Sequence, residues 1–237
     1  MGANAQTAVP AFTAGQVLTA AQQTQINTGI PVFADTTARD AAFGGTGEKT
    51  LAEGQFAYIE ATNTTQYYDG AAWQTVGGGL TWILSQTVGS AVSSVTVSSA
   101  FSSTYDNYLV LYQGGSSSAT NDIRVTFGAT ATGYYSSGYY MNFSASTMNG
   151  QFINNGAYIS AGRGTTAGNN LRMDVFGPNL ADETIVMINS VGPVTSDVSQ
   201  INQGFVNNTT QYTAFTLTPS TGTLTGGVIR VYGYQNS

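Results

Sequence analysis

The sequence predicts a mainly β protein in which a short N-terminal helix and a small β-meander precede an antiparallel β-sandwich. From Leu80 onward, apolar and aromatic residues alternate with polar ones in short runs bounded by Gly, Ser, Asn or Pro. No stretch of helical spacing persists between these runs, which argues against a parallel α/β sheet. With 41% hydrophobic and 11% aromatic residues the chain can build a core. A jelly roll is the expected topology, with another β-sandwich topology as the alternative.

Residues 1–30 are predicted to form a helical docking segment. In "LTAAQQTQINTG", Thr19 is placed to cap a helix, Gln22 to complete a capping box, and Gly29 to follow the last turn. Because an isolated helix of this length is marginal in water, the segment must pack against something else. The alternative is a frayed leader with no docking role.

Residues 31–79 are predicted to form a small adaptor. Thr37 and Asp40 can cap a one-turn helix. The runs "QFAYIEA", "TQYYD" and "AAW" then form a three-stranded antiparallel meander, with Asp69-Gly70 in the hairpin turn between the last two strands. The glycines at 77–79 are expected to be a flexible linker to the sandwich.

Residues 80–237 are predicted to form the sandwich. The strand runs are "LTWILSQ", "SVTV", "NYLVLYQ", "DIRVTF", "GYYMNF", "AYIS", "LRMDVF", "TIVMIN", "QGFVN", "YTAFTLT" and "GVIRVYGY". The intervening stretches, such as "NNGAYISAGRGTTAGNN", are rich in small residues and are expected to be loops around these runs.

Composition excludes several classes of function. The chain has no histidine and no cysteine, which removes the usual zinc and iron–sulfur ligands and the histidine-dependent nucleophile systems. A net charge of −6, with Lys49 as the only lysine, leaves no basic surface for nucleic acid. The first twenty residues lack the pattern of a signal peptide, and no run of apolar residues is long enough to span a membrane.

No catalytic residue, cofactor or specific metal site is predicted, and the sequence leaves open a cation held by discontinuous Asp, Asn and carbonyl oxygens. "GGTGEKT" differs from a phosphate-binding loop because Glu48 separates Gly47 from Lys49, so a polar turn is expected. The adjacent Asp182 and Glu183 would point to opposite faces of a strand and could not easily flank one glycosidic bond. Other acids are spread along strands, where a turn or solvent-facing role is the expectation.

The candidate ligand-binding residues are four tyrosines that flank a Ser-Ser-Gly triplet: Tyr134, Tyr135, Tyr139 and Tyr140. A hairpin turning at residues 136–138 would pair Tyr135 with Tyr139 on one face and Tyr134 with Tyr140 on the other. One face could join the core while the other stacks on sugars or packs against a partner subunit. The alternative is that these tyrosines only stabilise the paired strands.

Residues 11–79 resemble a module of virion proteins of tailed bacteriophages, chiefly tail-fibre and minor tail proteins. The stretches that carry the resemblance are "FTAGQVLTAAQ", "PVFADTTARDAAF" and "EGQFAYIEATNTTQYYDGAAWQTVG". The matching positions are Ala34-Asp35, Ala38-Arg39-Asp40, Glu53-Gly54, Tyr67-Tyr68-Asp69-Gly70 and Trp73. The closing "GGVIRVYGY", through Arg230, Tyr232 and Gly233, resembles the last strands of phage appendage domains.

The resemblance implies a non-enzymatic virion protein that assembles in the bacterial cytoplasm and attaches to other virion proteins through its N-terminal region. It also implies a homotrimer and a variable C-terminal domain where receptor choice would reside, and it leaves the ligand open. The first hypothesis is that this domain binds a host-surface glycan. A capsid decoration or head-fibre protein without a receptor role is the second hypothesis, and a polysaccharide depolymerase is the third. Neither nucleic-acid binding nor membrane insertion is expected.

Overall fold

The structure, a computed structural model, describes residues 6–27, 29–77, 79–145, 147–193 and 198–236, with only the backbone of residues 24–27. The chain divides into two compact units, Met1–Gly78 and Gly79–Ser237. Gly78, in the middle of the predicted linker, lies outside the described residues.

The N-terminal unit contains two short helices and a small sheet. The helices are α1 (Ala20–Asn27) and α2 (Thr36–Ala41), and the strands are β1 (Val32–Phe33), β2 (Phe56–Ile59), β3 (Thr64–Tyr68) and β4 (Trp73–Thr75). Strands β2, β3 and β4 form the predicted antiparallel meander, and β1 adds to β2 in parallel. The prediction of a short helix followed by a small meander is therefore confirmed.

The helix caps agree with the sequence for α1 and differ for α2. Thr19 Oγ1 accepts a hydrogen bond from Gln22 N at 3.2 Å, and Gln22 Oε1 accepts one from Thr19 N at 3.0 Å, which is the predicted capping box. In α2 the cap is Asp35, whose carboxylate accepts from Ala38 N at 2.8 Å. The prediction that Thr37 and Asp40 cap this helix was wrong, because Asp35 is the extended residue that precedes the first turn.

Trp73 anchors the small core of the N-terminal unit. Its ring lies 5.9 Å from that of Phe43 and 5.6 Å from that of Tyr68, measured between centroids. The buried Arg39 guanidinium lies 4.7 Å from the centre of the Trp73 ring and pairs with Asp40 at 2.7 Å. These aromatic and cation–π contacts let a short meander bury a core that three strands alone could not.

The C-terminal unit is built entirely from β-strands in the part the structure describes. They are β5 (Leu80–Thr87), β6 (Val95–Val97), β7 (Asn107–Ser117), β8 (Asn121–Phe127), β9 (Tyr134–Asn142), β10 (Met148–Gly156), β11 (Ile159–Thr165), β12 (Gly168–Phe176), β13 (Thr184–Val191), β14 (Val198–Val206), β15 (Phe215–Pro219), β16 (Leu224–Thr225) and β17 (Val228–Tyr234).

These strands form two antiparallel layers. The larger layer has the order β5-β17-β7-β12-β13-β14-β9-β10, and the smaller has the order β6-β15-β8-β11. The β11–β12 hairpin joins the layers, and β16 pairs with the end of β7. The prediction of an antiparallel β-sandwich is confirmed. The jelly-roll topology stays a prediction: β5 and β6, and β7 and β8, lie in opposite layers, whereas β9 and β10, and β12 to β14, are neighbours within one layer.

One hydrophobic core lies between the layers. Tyr108 and Val110 of β7, and Met173 of β12, pack in the same cluster as Val125 of β8 and Phe215 of β15. Each of these side chains is fully buried. Every second residue of β12 and β13 is buried and the residues between are partly or fully exposed, because one face of each strand meets this core.

The larger layer continues past β12 through β13, β14, β9 and β10, and we call these four strands the extended sheet. On the side of these four strands that points away from the core, the large apolar residues are exposed. We call this the outer face and define it by Tyr139, Met141, Met148, Phe152, Ile185, Met187, Val191 and Phe205.

The sequence prediction was wrong around the Ser-Ser-Gly triplet. Residues 136–138 do not turn; they continue through the middle of β9, which pairs with β14 on one side and with β10 on the other. Position 138 requires glycine because the backbone there lies close to β14, and a Cβ would lie 2.2 Å from Ile201 O. Strand β10 was missed because "MNGQFINNG" is rich in residues that disfavour strands.

Candidate ligand-binding cleft

The four candidate tyrosines lie on one strand and alternate between its two faces. Tyr135 and Tyr139 share the outer side of β9, and Tyr134 and Tyr140 share the inner side. The structure therefore divides them as the sequence predicted, although by alternation along one strand rather than by pairing across a hairpin. No single surface presents all four.

Tyr134 is a core residue. Its side chain is fully buried, its hydroxyl donates to Thr130 O at 3.0 Å, and it accepts a hydrogen bond from Phe127 N at 2.9 Å. Burial raises the pKa of Tyr134 to about 12. Its expected role in a binding platform is wrong, because both the ring and the hydroxyl are occupied inside the protein.

Tyr135 and Tyr139 belong to the outer side of the sheet. The Tyr135 ring stacks on Phe205 of β14, with centroids 5.2 Å apart and planes 10° from parallel. Tyr139 is 42% exposed. Stacking uses one face of Tyr135 for cross-strand stabilisation, the role that the sequence analysis gave as the alternative.

Tyr140 faces a polar cleft of about 570 Å³ on the inner side of the extended sheet. The cleft lies between strands β9, β10 and β14 and the paired strands β8 and β11. Its lining is Asp122, Tyr140, Asn142, Gly150, Gln151, Arg163, Val198 and Gln200. We call it the polar cleft. Its volume is within the range of small-molecule sites, and its side chains are mainly polar.

An ion pair forms one wall of the polar cleft. Arg163 and Asp122 lie opposite each other in the β11–β8 register, and Arg163 Nη1 lies 2.8 Å from Asp122 Oδ1. Their side chains are 27% and 47% exposed, so both charges stay in contact with the cleft. The guanidinium supplies a fixed fork of donors and the carboxylate supplies acceptors.

A hydrogen-bond network holds the opposite wall in place. Gln151 Nε2 donates to Asn202 Oδ1, Asn202 Nδ2 donates to Ser160 O at 2.9 Å, and Gln200 Nε2 donates to Ser160 Oγ at 3.0 Å. Asn202 and Gln200 are buried. Because the Gln151 amide is bonded to Asn202 and the Gln200 amide to Ser160, both glutamines keep fixed positions at the cleft wall.

Tyr140 and Asn142 supply polar groups that no described residue of the chain engages. Within the described part of the chain, neither the Tyr140 hydroxyl nor the Asn142 side-chain amide has a hydrogen-bond partner. Both side chains are only half-buried, and both line the cleft. They are available to a ligand that carries several hydroxyl groups.

A smaller cavity of about 140 Å³ adjoins the cleft, and Asp122 and Gln151 line both. Tyr158 and Ser160 line this cavity. The Arg124 guanidinium lies 4.2 Å from the centre of the Tyr158 ring. The Tyr158 ring, in cation–π contact with Arg124, therefore lies next to the hydrogen-bonding groups of the polar cleft.

Sequence reasoning identified only Tyr140 among the residues of the polar cleft. It gave the acids on strands, of which Asp122 is one, a turn or solvent-facing role, and it assigned nothing to Asn142, Gln151, Arg163 or Gln200. These residues come together only through strand register, since Asp122 and Arg163 are 41 positions apart. Gln151 lies between Gly150 and the exposed Phe152. This change from one residue to the next was the one local sign in the sequence that β10 has a polar face.

The N-terminal unit offers no phosphate site at "GGTGEKT". Glu48 Oε2 accepts a hydrogen bond from Gly45 N at 2.8 Å, and Lys49 Nζ donates to Gln55 Oε1 at 2.6 Å. The Glu48 carboxylate thus already accepts the hydrogen bond of a backbone N–H that a bound anion would need. The segment forms a polar turn.

Among the described residues, no three acidic, histidine or cysteine side chains lie close enough together to hold a metal ion. Nor does the described part of the chain include a helix with the length and apolar character needed to cross a lipid bilayer. No protein-family model and no curated protein sequence matches the chain.

Proposed function

We propose that the protein is a virion appendage of a tailed bacteriophage, a tail fibre or minor tail protein. Its N-terminal region anchors it to other virion proteins, and its β-sandwich binds a glycan on the host surface. The protein assembles in the host cytoplasm and remains part of the virion. The polar cleft is the observation that carries the glycan-binding part of the proposal.

The chemistry of the polar cleft suits a sugar. A sugar ring presents many hydroxyl groups, each of which both donates and accepts hydrogen bonds. Tyr140 and Asn142 can do the same, and Arg163 and Asp122 add charged donors and acceptors. Sandwiches of the jelly-roll kind are an architecture that lectins also use.

The lining favours binding over hydrolysis. A glycosidase of the usual kind needs two carboxyl groups that flank the bond it cleaves. Asp122 is the one carboxylate among the described residues that line the polar cleft, and it is paired with Arg163. We therefore place the depolymerase hypothesis behind a binding role.

Several residues that carry the phage resemblance hold the N-terminal unit together. Asp35 caps α2, and Arg39 and Tyr68 pack on Trp73. This supports an anchor that is folded through its own core, and it leaves the exposed side chains of the unit for contact with the particle.

Two experiments test the proposal separately. Immunogold labelling of intact phage particles should place the protein at the tail. Label on the capsid would favour the decoration or head-fibre hypothesis instead, and particles without label would contradict the virion assignment.

The glycan part is tested by binding of the purified protein to a panel of bacterial capsular and lipopolysaccharide glycans. We expect saturable binding to at least one of them without release of reducing ends. Release of reducing ends would favour the depolymerase, and no binding across the panel or to host cells would contradict the glycan role.

A further inference from the structure

The outer face is a broad apolar surface on one side of the extended sheet. Its most exposed residues are Phe152 and Met148 of β10, which are 79% and 59% exposed. Ile185 and Met187 of β13, two strands beyond β9, are 46% and 45% exposed. Strand register places these side chains on the same side of the sheet as Tyr139.

The area of the outer face is large for a monomer. At about 200 Å² of accessible surface for each large side chain, the exposed fractions of its eight defining residues amount to roughly 750 Å². The largest apolar patch on an ordinary monomer is about 300–600 Å². One side of a standard protein interface is about 800 Å². The outer face alone therefore approaches what one partner contributes to a stable complex.

The charge pattern fits a second copy of this chain as the partner. Each copy carries a net charge of −6, so two copies repel each other across most of their surfaces. The positions described on this side of β9, β10, β13 and β14 hold only apolar and uncharged polar side chains, and Glu183 lies at the rim. This is where two copies can meet without opposing like charges.

The residue types also suit a protein interface. Met141, Met148 and Met187 are flexible side chains that adapt to an opposing surface, and aromatic residues and methionine are enriched at interfaces. We propose that the outer face is buried against a second copy of this chain. This proposal does not depend on the glycan-binding role, because the polar cleft lies on the opposite side of the same strands.

Sedimentation velocity of the full chain across a wide concentration range tests the proposal. We expect the wild-type protein to self-associate, and Phe152→Glu or Met187→Glu to weaken association at least about tenfold, because a buried charge would have no partner. Both side chains are well exposed within one copy, so neither substitution should impair folding, and circular dichroism checks this.

The matched control is Trp82→Glu. Trp82 is an aromatic residue of β5 that is 60% exposed, and β17, β7 and β12 separate it from β13. The Trp82→Glu variant should therefore self-associate as the wild type does. A wild-type protein that stays monomeric at all concentrations would overturn the proposal. Phe152→Glu and Met187→Glu variants that form the same assembly as the wild type at the same concentrations would also overturn it.

Discussion

Replacing Asn202 by alanine is expected to destabilise the C-terminal unit by about 2–3 kcal/mol. Asn202 lies on the inner side of β14, is 2% exposed, and joins two other strands. Its amide donates to Ser160 O of β11 at 2.9 Å and accepts from Gln151 Nε2 of β10. The substitution removes both contacts and leaves their partners in place.

The size of this destabilisation depends on whether water can replace Asn202 as the hydrogen-bond partner of Ser160 and of Gln151. Ser160 is buried, so its carbonyl oxygen loses a donor that solvent cannot easily replace, which costs about 1–3 kcal/mol. Gln151 lines the polar cleft, so water there can take over much of its lost hydrogen bond. The smaller side chain also leaves a small void, which adds a few tenths of a kcal/mol to about 1 kcal/mol.

Chemical denaturation followed by far-ultraviolet circular dichroism measures this change in the free energy of unfolding. The matched control is Gln203→Ala, the next residue of the same strand, which is exposed on the outer side and should change stability by less than about 0.5 kcal/mol. Equal effects of the two substitutions, or an Asn202→Ala variant as stable as the wild type, would refute the network described for the cleft wall.

Three further predictions concern stability. Gly138→Ala should cost about 1–3 kcal/mol, because its Cβ would lie 2.2 Å from Ile201 O; Gly150→Ala, with no atom within 4 Å, is the control in the same denaturation assay. Asp35→Ala should lower the stability of the N-terminal unit by about 1 kcal/mol through loss of the α2 cap, whereas Thr37→Ala should not, as thermal unfolding would show. Burial raises the pKa of Tyr134 to about 12 in the folded state, above the ordinary tyrosine pKa of about 10, so the stability that this buried hydroxyl contributes is complete below pH 10 and is lost as the pH rises toward 12. Unfolding measured across that range should show a decline that is smaller in Tyr134→Phe, and equal declines would contradict the burial of this hydroxyl.

The strands of the core were predictable because one face of each meets the sandwich interior. In β12 and β13 every second residue is buried, and this alternation is visible in the sequence. The capping box of α1 and the Asp69-Gly70 turn were predictable for a different reason, since both depend on neighbouring residues. Asp69 Oδ1 accepts from Ala71 N at 2.9 Å and from Ala72 N at 2.7 Å, and these bonds lower the pKa of Asp69.

The extended sheet could not be predicted, because tertiary contacts there outweigh local preference. Ser136 and Gly138 suggested a turn, whereas their small size allows close packing of β9 against β14. Strand β10 forms from unfavourable residues because its backbone pairs with β9 along most of its length. Since the polar cleft lies between this extension and β8–β11, its residues could not be assembled from sequence spacing alone.

The most direct test of the cleft compares two neighbouring tyrosines of β9 for glycan affinity. Tyr140→Phe removes a hydroxyl inside the polar cleft, and Tyr139→Phe removes one on the other side of the same strand. Loss of a hydrogen bond worth about 0.5–1.5 kcal/mol corresponds to roughly twofold to tenfold weaker binding. We expect Tyr140→Phe to weaken binding by this amount while Tyr139→Phe binds as the wild type does. Weaker binding by Tyr139→Phe with unchanged binding by Tyr140→Phe would place the ligand on the outer face and contradict the account.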